Sequence, residues 1–410
     1  MAAATDIAAV LDRVDTERAV ELVREVCRIP SVLGEEQALA AFLADQMRAS
    51  GFEGAGLQPV LPGRPNAIGE VSFGPGRRVV LTGHLDTKPV SHGWQATTPF
   101  SGDLLDGAVY GHGVMDMKAA LACQIVAIEA VRDSGLPLSG TLAMAAVSDH
   151  MGDQRGSIAY FDAYDADLCV LGELTDNQVC LGHRGRYYFD VTLIGRSAHT
   201  CHKHDAVNAN VLAARAVLAL DGSRLEPPLA DGIAELFGTE TYLVPGRIYG
   251  GLPPGGPSMI PDECVIRVDC RPQPGVSADQ VRAEIDRCLA VARAADPRLT
   301  AEVTLADVKP GYLAGPGDEV VTLMTDAVRL VRGTEPALVT ENWLGDTASF
   351  GDKVPTVIFG PGGRPVYCPD EHLSVADIHE ATKGYAAFAA LALAEPAGSP
   401  EGVTAASHGR

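Results

Sequence analysis

Three short apolar segments of this chain each run directly into ionisable side chains. The segments are residues 78–82, 141–147 and 168–171, and the ionisable residues after them are His84 and Asp86, Asp149 and His150, and Glu173. Short apolar runs that alternate with helical stretches are typical of buried parallel strands. Ligands bind at the carboxyl ends of such strands in open α/β sheets. The sequence therefore predicts that histidine and carboxylate groups meet at one edge of a sheet and form a site.

The types and spacing of these residues suit metal binding, although each motif also has a simpler interpretation. In a strand, His84 and Asp86 point to the same side, so one can bind a metal while the other orients its imidazole. A surface loop could carry the same pair. Asp116 precedes a helical stretch, where an aspartate can also serve only as an N-cap. Glu173 ends an apolar strand, where a carboxylate is costly unless it is paired or bound to a cation.

Composition excludes several classes of function. The chain has 410 residues and a net charge of −21, which argues against binding to nucleic acid because that requires basic patches. Apolar runs fall short of the ~18 residues of a membrane span, and residues 1–13 lack the apolar core of a signal peptide. The nine cysteines are scattered, without a CxxC pair. We therefore expect a cytoplasmic protein with reduced cysteines that binds neither nucleic acid nor membranes.

The order of the predicted elements indicates an α/β fold with an insertion. Strand and helix patterns alternate over residues 1–185 and again over 309–394, which is typical of a mainly parallel sheet. Residues 186–308 instead have the pattern of a compact α+β domain. We therefore expect a discontinuous α/β domain, residues 1–185 and 309–394, interrupted by an inserted α+β domain, residues 186–308. Residues 395–410 are rich in Gly, Ser, Pro and Ala, and we expect them to form a flexible tail.

Several motifs in this order resemble the dinuclear zinc amidohydrolase and peptidase family that includes acetylornithine deacetylase, succinyl-diaminopimelate desuccinylase, aminoacylase and carboxypeptidase G. They are GHLDTKPV (83–90), GHGVMDMK (111–118), GELT (172–175), GRSAHT (195–200), NAN (208–210), IPDECVIRVDCRP (260–272), FGPGG (359–363) and CPDEH (368–372). The resemblance covers nearly the whole chain. It implies a zinc-bearing α/β domain and an inserted α+β lid that often dimerises, so we expect a homodimer formed through the lid.

The resemblance implies that the protein ligands of the first zinc are all present. His84 matches the histidine ligand, and Asp86 matches the aspartate that orients it. Asp116 matches the carboxylate that bridges the two metals, and Glu173 matches the remaining ligand of the first zinc. Three protein ligands and an open position make a complete catalytic zinc site in other enzymes.

The second metal site departs from the family. His150 and Met151 stand where the family has two glutamates, the general base and a ligand of the second zinc. Tyr367 stands where the family has its last histidine ligand. A thioether and a neutral phenol are poor ligands for zinc. We therefore expect at most one zinc per chain, with none as the alternative.

His150 has three interpretations. It stands where a base is required, and an unperturbed imidazole pKa of about 6.5 suits general-base catalysis near neutral pH. It could instead be a new ligand of a displaced ion, or a packed and hydrogen-bonded histidine. We interpret Met151 as a packing residue.

The resemblance also implies residues that bind substrate. His199 matches a lid histidine that reaches across a dimer to polarise the scissile carbonyl, and Arg271 matches a lid arginine that holds a substrate carboxylate. A surface histidine and a structural ion pair are the alternatives. Ser258 stands where the family often has an asparagine, and Asp346 matches an acid near the site. Together with Tyr367, these residues are the expected contacts to substrate.

Three functions are compatible with this reading. The first is a hydrolase that cleaves an amide bond of a carboxylate-bearing N-acyl amino acid or small peptide-like substrate, with His150 as base and His199 as oxyanion donor. The second is a metal-poor or metal-free homologue that catalyses acyl transfer, amide formation or a cyclisation. The third is a homologue that binds a carboxylate ligand without catalysis. The complete ligand set of the first zinc favours the hydrolase.

Overall fold

The computed structural model describes residues 4–251 and 258–394. Its α-helices are α1 (Ala4–Leu11), α2 (Thr16–Cys27), α3 (Gln37–Ala49), α4 (Ala119–Arg132), α5 (Arg155–Ala163), α6 (Ala209–Leu220), α7 (Ile233–Phe237), α8 (Ala278–Ala295), α9 (Glu319–Arg332), α10 (Thr347–Phe350) and α11 (Val375–Leu393). A π-helical turn spans Val114–Lys118 and a 3₁₀ segment spans Thr200–Asp205. Within the described ranges, no helix is both long enough and apolar enough to cross a membrane.

The strands run from residue 53 to residue 374. They are β1 (Glu53–Leu61), β2 (Arg64–Ser72), β3 (Arg78–His84), β4 (Asp103–Leu105), β5 (Ala108–Tyr110), β6 (Thr141–Val147), β7 (Leu168–Leu171), β8 (Val179–His183), β9 (Arg186–Ile194), β10 (Arg224–Leu225), β11 (Thr241–Gly250), β12 (Glu263–Cys270), β13 (Thr300–Lys309), β14 (Tyr312–Leu313), β15 (Leu338–Glu341), β16 (Thr356–Ile358) and β17 (His372–Ser374).

The chain divides into two compact units. Of the described residues, the first unit contains 4–181, 314–339 and 349–394, and the second contains 182–251, 258–313 and 340–348. The predicted boundaries are 185/186 and 308/309, and the prediction does not include residues 340–348 in the second unit. The predicted tail, 395–410, lies outside the described residues.

The first unit is built on a sheet with the strand order β1-β2-β6-β3-β7-β16-β8. The four strands β6, β3, β7 and β16 are mutually parallel. Antiparallel pairing flanks them, through β2 and β1 at one side and β8 at the other. This arrangement confirms the predicted α/β class with a mainly parallel central sheet.

The central strands are continuous apolar runs because helices cover both faces of the sheet. Val80 of β3 packs in one cluster with Tyr160 of α5. Gly83, three residues further along β3, faces the opposite side of the sheet. A Cβ atom added at this position would lie 3.1 Å from Leu121 Cδ2 of α4. A strand buried on both faces does not need the apolar–polar alternation of a half-exposed strand.

The strand register brings the candidate site residues to one edge of this sheet. His84 lies opposite Val147, and Thr82 lies opposite Leu171. His150 therefore follows three residues beyond the end of β6, and Glu173 follows two residues beyond the end of β7. Parallel pairing thus places both beside the end of β3.

The second unit is an antiparallel sheet of order β10-β11-β12-β9-β13. Helices α6 and α8 pack on this sheet. Buried residues alternate along β9 and β12, as expected for strands with only one covered face. The unit is therefore an α+β insert within the first unit's sequence.

An ion-pair cluster in the first unit fixes the turn that follows β6. Arg64 Nη2 lies 2.6 Å from Glu36 Oε1 and 2.8 Å from Asp149 Oδ1. The Glu36 side chain is fully buried. Asp149 Oδ2 also accepts hydrogen bonds from the main-chain N–H groups of Asp153, at 3.2 Å, and Arg155, at 3.3 Å. The guanidinium thus balances two carboxylates that are shielded from water.

Replacement of Arg64 should strongly destabilise the folded protein. Arg64→Met is expected to lower the free energy of unfolding by about 3–5 kcal/mol, because it leaves two buried carboxylates without their partner. Arg48→Met is the matched control, since Arg48 and Asp45 form an ion pair in which both side chains are largely exposed. The free energy of unfolding of Arg48→Met should fall by less than about 1 kcal/mol. Urea denaturation measures both, and equal losses would contradict the assignment.

Candidate metal centre

His84 is held in a defined orientation at the end of β3. Its side chain is fully buried, and Nδ1 lies 2.8 Å from the main-chain carbonyl oxygen of Asp86. A carbonyl oxygen only accepts hydrogen bonds, so Nδ1 carries a proton. Once the ring is neutral, Nε2 is therefore the nitrogen that can bind a metal ion.

Asp86 contacts both histidines of the site with different atoms. Its carbonyl orients His84, while its carboxylate accepts hydrogen bonds from the main-chain N–H of His150, at 3.0 Å, and of Met151, at 2.8 Å. Burial raises the pKa of the Asp86 carboxyl above its ordinary value, against the lowering effect of His84 and His150. The orienting contact to His84 thus comes from the main chain of Asp86, and the side chain fixes the turn at residues 150–151.

Two carboxylates converge on His84 Nε2. Asp116 Oδ1 lies 2.9 Å and Glu173 Oε1 lies 3.6 Å from this nitrogen. Although Nε2 and Asp116 Oδ1 are close, their geometry is not that of a hydrogen bond, and neither atom forms one with another group in the described ranges. Ligand atoms bonded at 2.0–2.1 Å to a tetrahedral zinc ion lie roughly 3.3 Å apart. The three side chains therefore fit the ligand set of one divalent ion.

The electrostatics of this cluster also favour a cation. Burial lowers the pKa of His84, but Glu173 and Asp116 raise it more, to about 10. Burial raises the pKa of Asp116, but His84 lowers it more, so that it falls below its ordinary value. The Asp116 carboxylate thus keeps its negative charge beside an imidazole that holds a proton when no metal ion is bound.

His150 lies beside this cluster. Its ring stacks on the ring of His84, with centroids 4.1 Å apart and an interplanar angle of 13°. One potential ligand atom from each of His84, His150 and Glu173 lies within 4.8 Å of the other two. His150 is therefore placed where either a proton acceptor or a further ligand would act.

Tyr367 reaches the same centre from another loop. Its hydroxyl donates a hydrogen bond of 3.1 Å to the main-chain carbonyl of Asp116. Burial, and next the charge of Asp116, raise the pKa of Tyr367 well above its ordinary value, so the phenol is neutral. Among residues 4–251 and 258–394, one cluster of three or more His, Cys, Asp or Glu ligands is found, and its members are His84, His150 and Glu173.

Glu371 holds the loop of Asp116 against the loop of Tyr367, and sequence reasoning missed this role. Its carboxylate accepts hydrogen bonds from the N–H groups of Gly113, at 3.2 Å, Met115, at 3.1 Å, and Tyr367, at 3.0 Å. Burial raises its pKa to about 7. The motif CPDEH contains Glu371. Two of its hydrogen-bond partners, Gly113 and Met115, are distant in sequence, so the spacing of residues did not indicate these contacts.

His199 and Ser258 lie next to each other in the second unit. His199 is exposed and forms an isolated bridge with Met259. Its Nδ1 accepts a hydrogen bond of 3.2 Å from the N–H of Cys201. The carbonyl of Ser258 accepts a hydrogen bond of 2.8 Å from the N–H of Thr200.

Arg271 and Asp346 also belong to the second unit. Arg271 forms a two-point ion pair with Asp269, with distances of 2.9 and 3.1 Å, so its guanidinium is engaged within its own strand region. Asp346 is fully buried. It precedes Thr347, whose hydroxyl lies 2.6 Å from His183 Nε2.

The fold and the cluster define the class of this protein as a metal-dependent hydrolase built on an α/β domain. A model of peptidase family M20/M25/M40 matches residues 80–391. Succinyl-diaminopimelate desuccinylase of Methylorubrum extorquens is 30% identical over 385 residues, covering 89% of this chain and 96% of that protein. The desuccinylase of Gluconobacter oxydans is 27% identical, covering 90% and 96%. The chain belongs to peptidase family M20/M25/M40, which confirms both the resemblance and the amidohydrolase class predicted from the motifs.

Solved structures support the same fold. An M20 family metallo-carboxypeptidase from Sulfolobus solfataricus has a TM-score of 0.74 at 18% identity, covering 92% of this chain and 98% of that one. Human carnosine dipeptidase 1 has a TM-score of 0.67 at 18% identity, covering 93% and 98%. At 18% sequence identity, this structural similarity is evidence for the fold alone.

Zinc binding should release a proton. Without a metal ion the pKa of His84 is about 10, so at pH 7 the imidazole must lose its proton before Nε2 can bind zinc. Calorimetric titration with zinc chloride in two buffers of different ionisation enthalpy should show about one proton released, and the apparent affinity should rise with pH. His84→Ala should abolish binding, while His379→Ala, on helix α11, should leave it unchanged. Binding without proton release at pH 7 would contradict this assignment.

Proposed function

We propose that this enzyme hydrolyses an amide bond in a small N-acyl amino acid or peptide-like molecule that carries a free carboxylate, and that it uses one zinc ion per chain. The observation that carries the proposal is the convergence of Asp116 and Glu173 on His84 Nε2, at 2.9 and 3.6 Å. Relatives named as succinyl-diaminopimelate desuccinylases, matched over nearly their whole length, support a carboxylate-bearing acylated substrate.

His84, Asp116 and Glu173 would hold the metal ion. When bound, zinc supplies a Lewis acid and lowers the pKa of water to about 7. His150 takes the proton of the attacking water and later gives it to the leaving nitrogen. Asp86 keeps His150 in place through the main-chain hydrogen bond to its carboxylate. The stacking of His150 on His84 supports this role, because it brings a second imidazole beside the metal-binding one.

His150→Ala separates the proposed base from a metal ligand. We expect kcat on a panel of N-acetyl and N-succinyl amino acids to fall by roughly 10²–10⁴-fold, with zinc per chain unchanged by plasma mass spectrometry. Loss of zinc together with activity would make His150 a ligand instead. Full activity would eliminate both roles. His379→Ala serves as the matched control.

The second unit is proposed to supply the remaining contacts to substrate. Arg271 would bind the substrate carboxylate, since its side chain is partly exposed and Asp269 already fixes its orientation. His199 would donate a hydrogen bond to the developing oxyanion, and its exposure supports a role toward another molecule. Ser258 and Asp346 are proposed to line the substrate site. These roles rest on the family resemblance of the motifs that contain them.

We also propose that the enzyme is a homodimer formed through the second unit. Strand β11 pairs with β10 only at Thr241 and Tyr242, and with β12 along its other side. Beyond this point, β11 exposes apolar side chains, with Ile248 54% and Tyr249 50% exposed. An apolar edge strand of this kind is suited to pairing with another chain.

A charge on this edge should prevent assembly. Ile248→Asp is expected to convert the dimer to a monomer, because burying an unpaired carboxylate at an interface is strongly unfavourable. Light scattering coupled to size-exclusion chromatography measures the mass. Leu104→Asp, an exposed apolar residue of the first unit, is the control and should leave the mass unchanged. A wild-type protein that is monomeric at all concentrations would contradict the proposal.

A further inference from the structure

The Tyr367 hydroxyl is the one phenolic group hydrogen-bonded to the loop of Asp116 in the described part of the chain. It donates to the Asp116 carbonyl at 3.1 Å, while Asp116 Oδ1 lies 2.9 Å from His84 Nε2. By motif position, Tyr367 stands where the family has a ligand of the second zinc. A neutral phenol carries no positive charge and so cannot replace a metal ion electrostatically. It can, however, stabilise an oxyanion by donating a hydrogen bond to it.

The three side chains of the cluster differ in their exposure to solvent, and Asp116 is the most exposed of them. The side chain of His84 is fully buried and that of Glu173 is 3% exposed, whereas that of Asp116 is 13% exposed. Tyr367 itself is partly exposed. Asp116 is thus the most exposed side chain of the three, and its main-chain carbonyl is the group to which the phenol donates.

We propose that Tyr367 is a catalytic residue that donates a hydrogen bond to the oxygen of the scissile carbonyl as it becomes an oxyanion. Oxyanion sites are built from fixed donors of this kind, tyrosine included. This inference rests on the proposed amide hydrolysis and adds a donor from the first unit to the donor proposed for His199.

The reaction balances without a proton leaving Tyr367. The water oxygen forms a bond to the acyl carbon, its proton passes to His150, and the electron pair of the C=O bond moves to oxygen. That oxyanion is a stronger acceptor than the peptide carbonyl of Asp116, so the O–H group turns to it by rotation about the bond between oxygen and ring. The C=O bond then re-forms, the C–N bond breaks, and the nitrogen takes the proton from His150.

The surroundings of Tyr367 hold it in place for this task. Its N–H donates to Glu371 Oε2 at 3.0 Å, and the same carboxylate oxygen accepts from the N–H of Gly113 in the loop of Asp116. The ring also lies 5.5 Å, between centroids, from the ring of His112. The main chain and ring of Tyr367 are thus held before the reaction, and rotation of the O–H bond is the reorganisation that remains when charge develops.

Tyr367→Phe tests the proposal by removing one hydroxyl. In the zinc-loaded variant we expect kcat on the acyl amino acid panel to fall by roughly 10²–10³-fold, with KM within about threefold and zinc per chain unchanged. A second readout uses 3-[hydroxy(methyl)phosphoryl]propanoate, a tetrahedral analogue of N-acetylglycine. Its Kd, measured by calorimetry, should rise by roughly 10–100-fold in the variant, as expected for a lost hydrogen bond to a charged oxygen.

Tyr187→Phe is the matched control, since the Tyr187 hydroxyl is a buried donor to the Val276 carbonyl at 2.7 Å within the second unit. It should change stability without changing kcat or the phosphinate Kd. Unchanged kcat and Kd in Tyr367→Phe, or loss of zinc from it, would overturn the role of Tyr367. A wild type that binds the phosphinate but hydrolyses no substrate would overturn the proposed function alone, and the ratio of Kd values would then decide the role of Tyr367. A wild type that does neither would overturn both.

Discussion

The structure depends on two carboxylates being held against one imidazole at the end of a buried sheet. Asp116 and Glu173 approach His84 Nε2 in a region where water can compensate little of their charge. A proton on His84 balances one negative charge at this place, whereas a divalent cation balances two. The parallel strands supply the positions of His84 and Glu173, and Glu371 fixes the loop that carries Asp116.

Asp86 couples the positions of the two imidazoles of the centre, because it contacts both His84 and His150. A shift of its main chain would move the carbonyl that orients His84, and the same shift would move the carboxylate that anchors the N–H of His150. The stacked rings, 4.1 Å apart, share this anchor. The positions of the His84 ring and of the His150 ring are therefore set by one short segment at the end of β3.

Much of the first unit could be predicted from sequence, and the parts that could not depend on tertiary contacts. The central strands β3, β6 and β7 were predictable because their residues are apolar throughout, and the motifs at their ends were identifiable by residue type. Strands β1 and β2 were not predicted, since they contain Gly, Pro and Glu without a clear alternation and gain their order by pairing with each other and with β6. The clamp formed by Glu371 joins residues more than 250 positions apart in sequence.

The uneven burial of the centre bears on how such an enzyme can change over evolutionary time. His84 and Glu173 are embedded where the sheet meets its covering helices, so replacing either disturbs the folded core as well as the chemistry. His150, Met151 and Tyr367 are only partly buried and stand on loops, where substitutions usually cost little stability. Substitutions at these three loop positions therefore carry less risk to folding, and this fold can accept new functional groups at one side of its centre while the other side stays fixed.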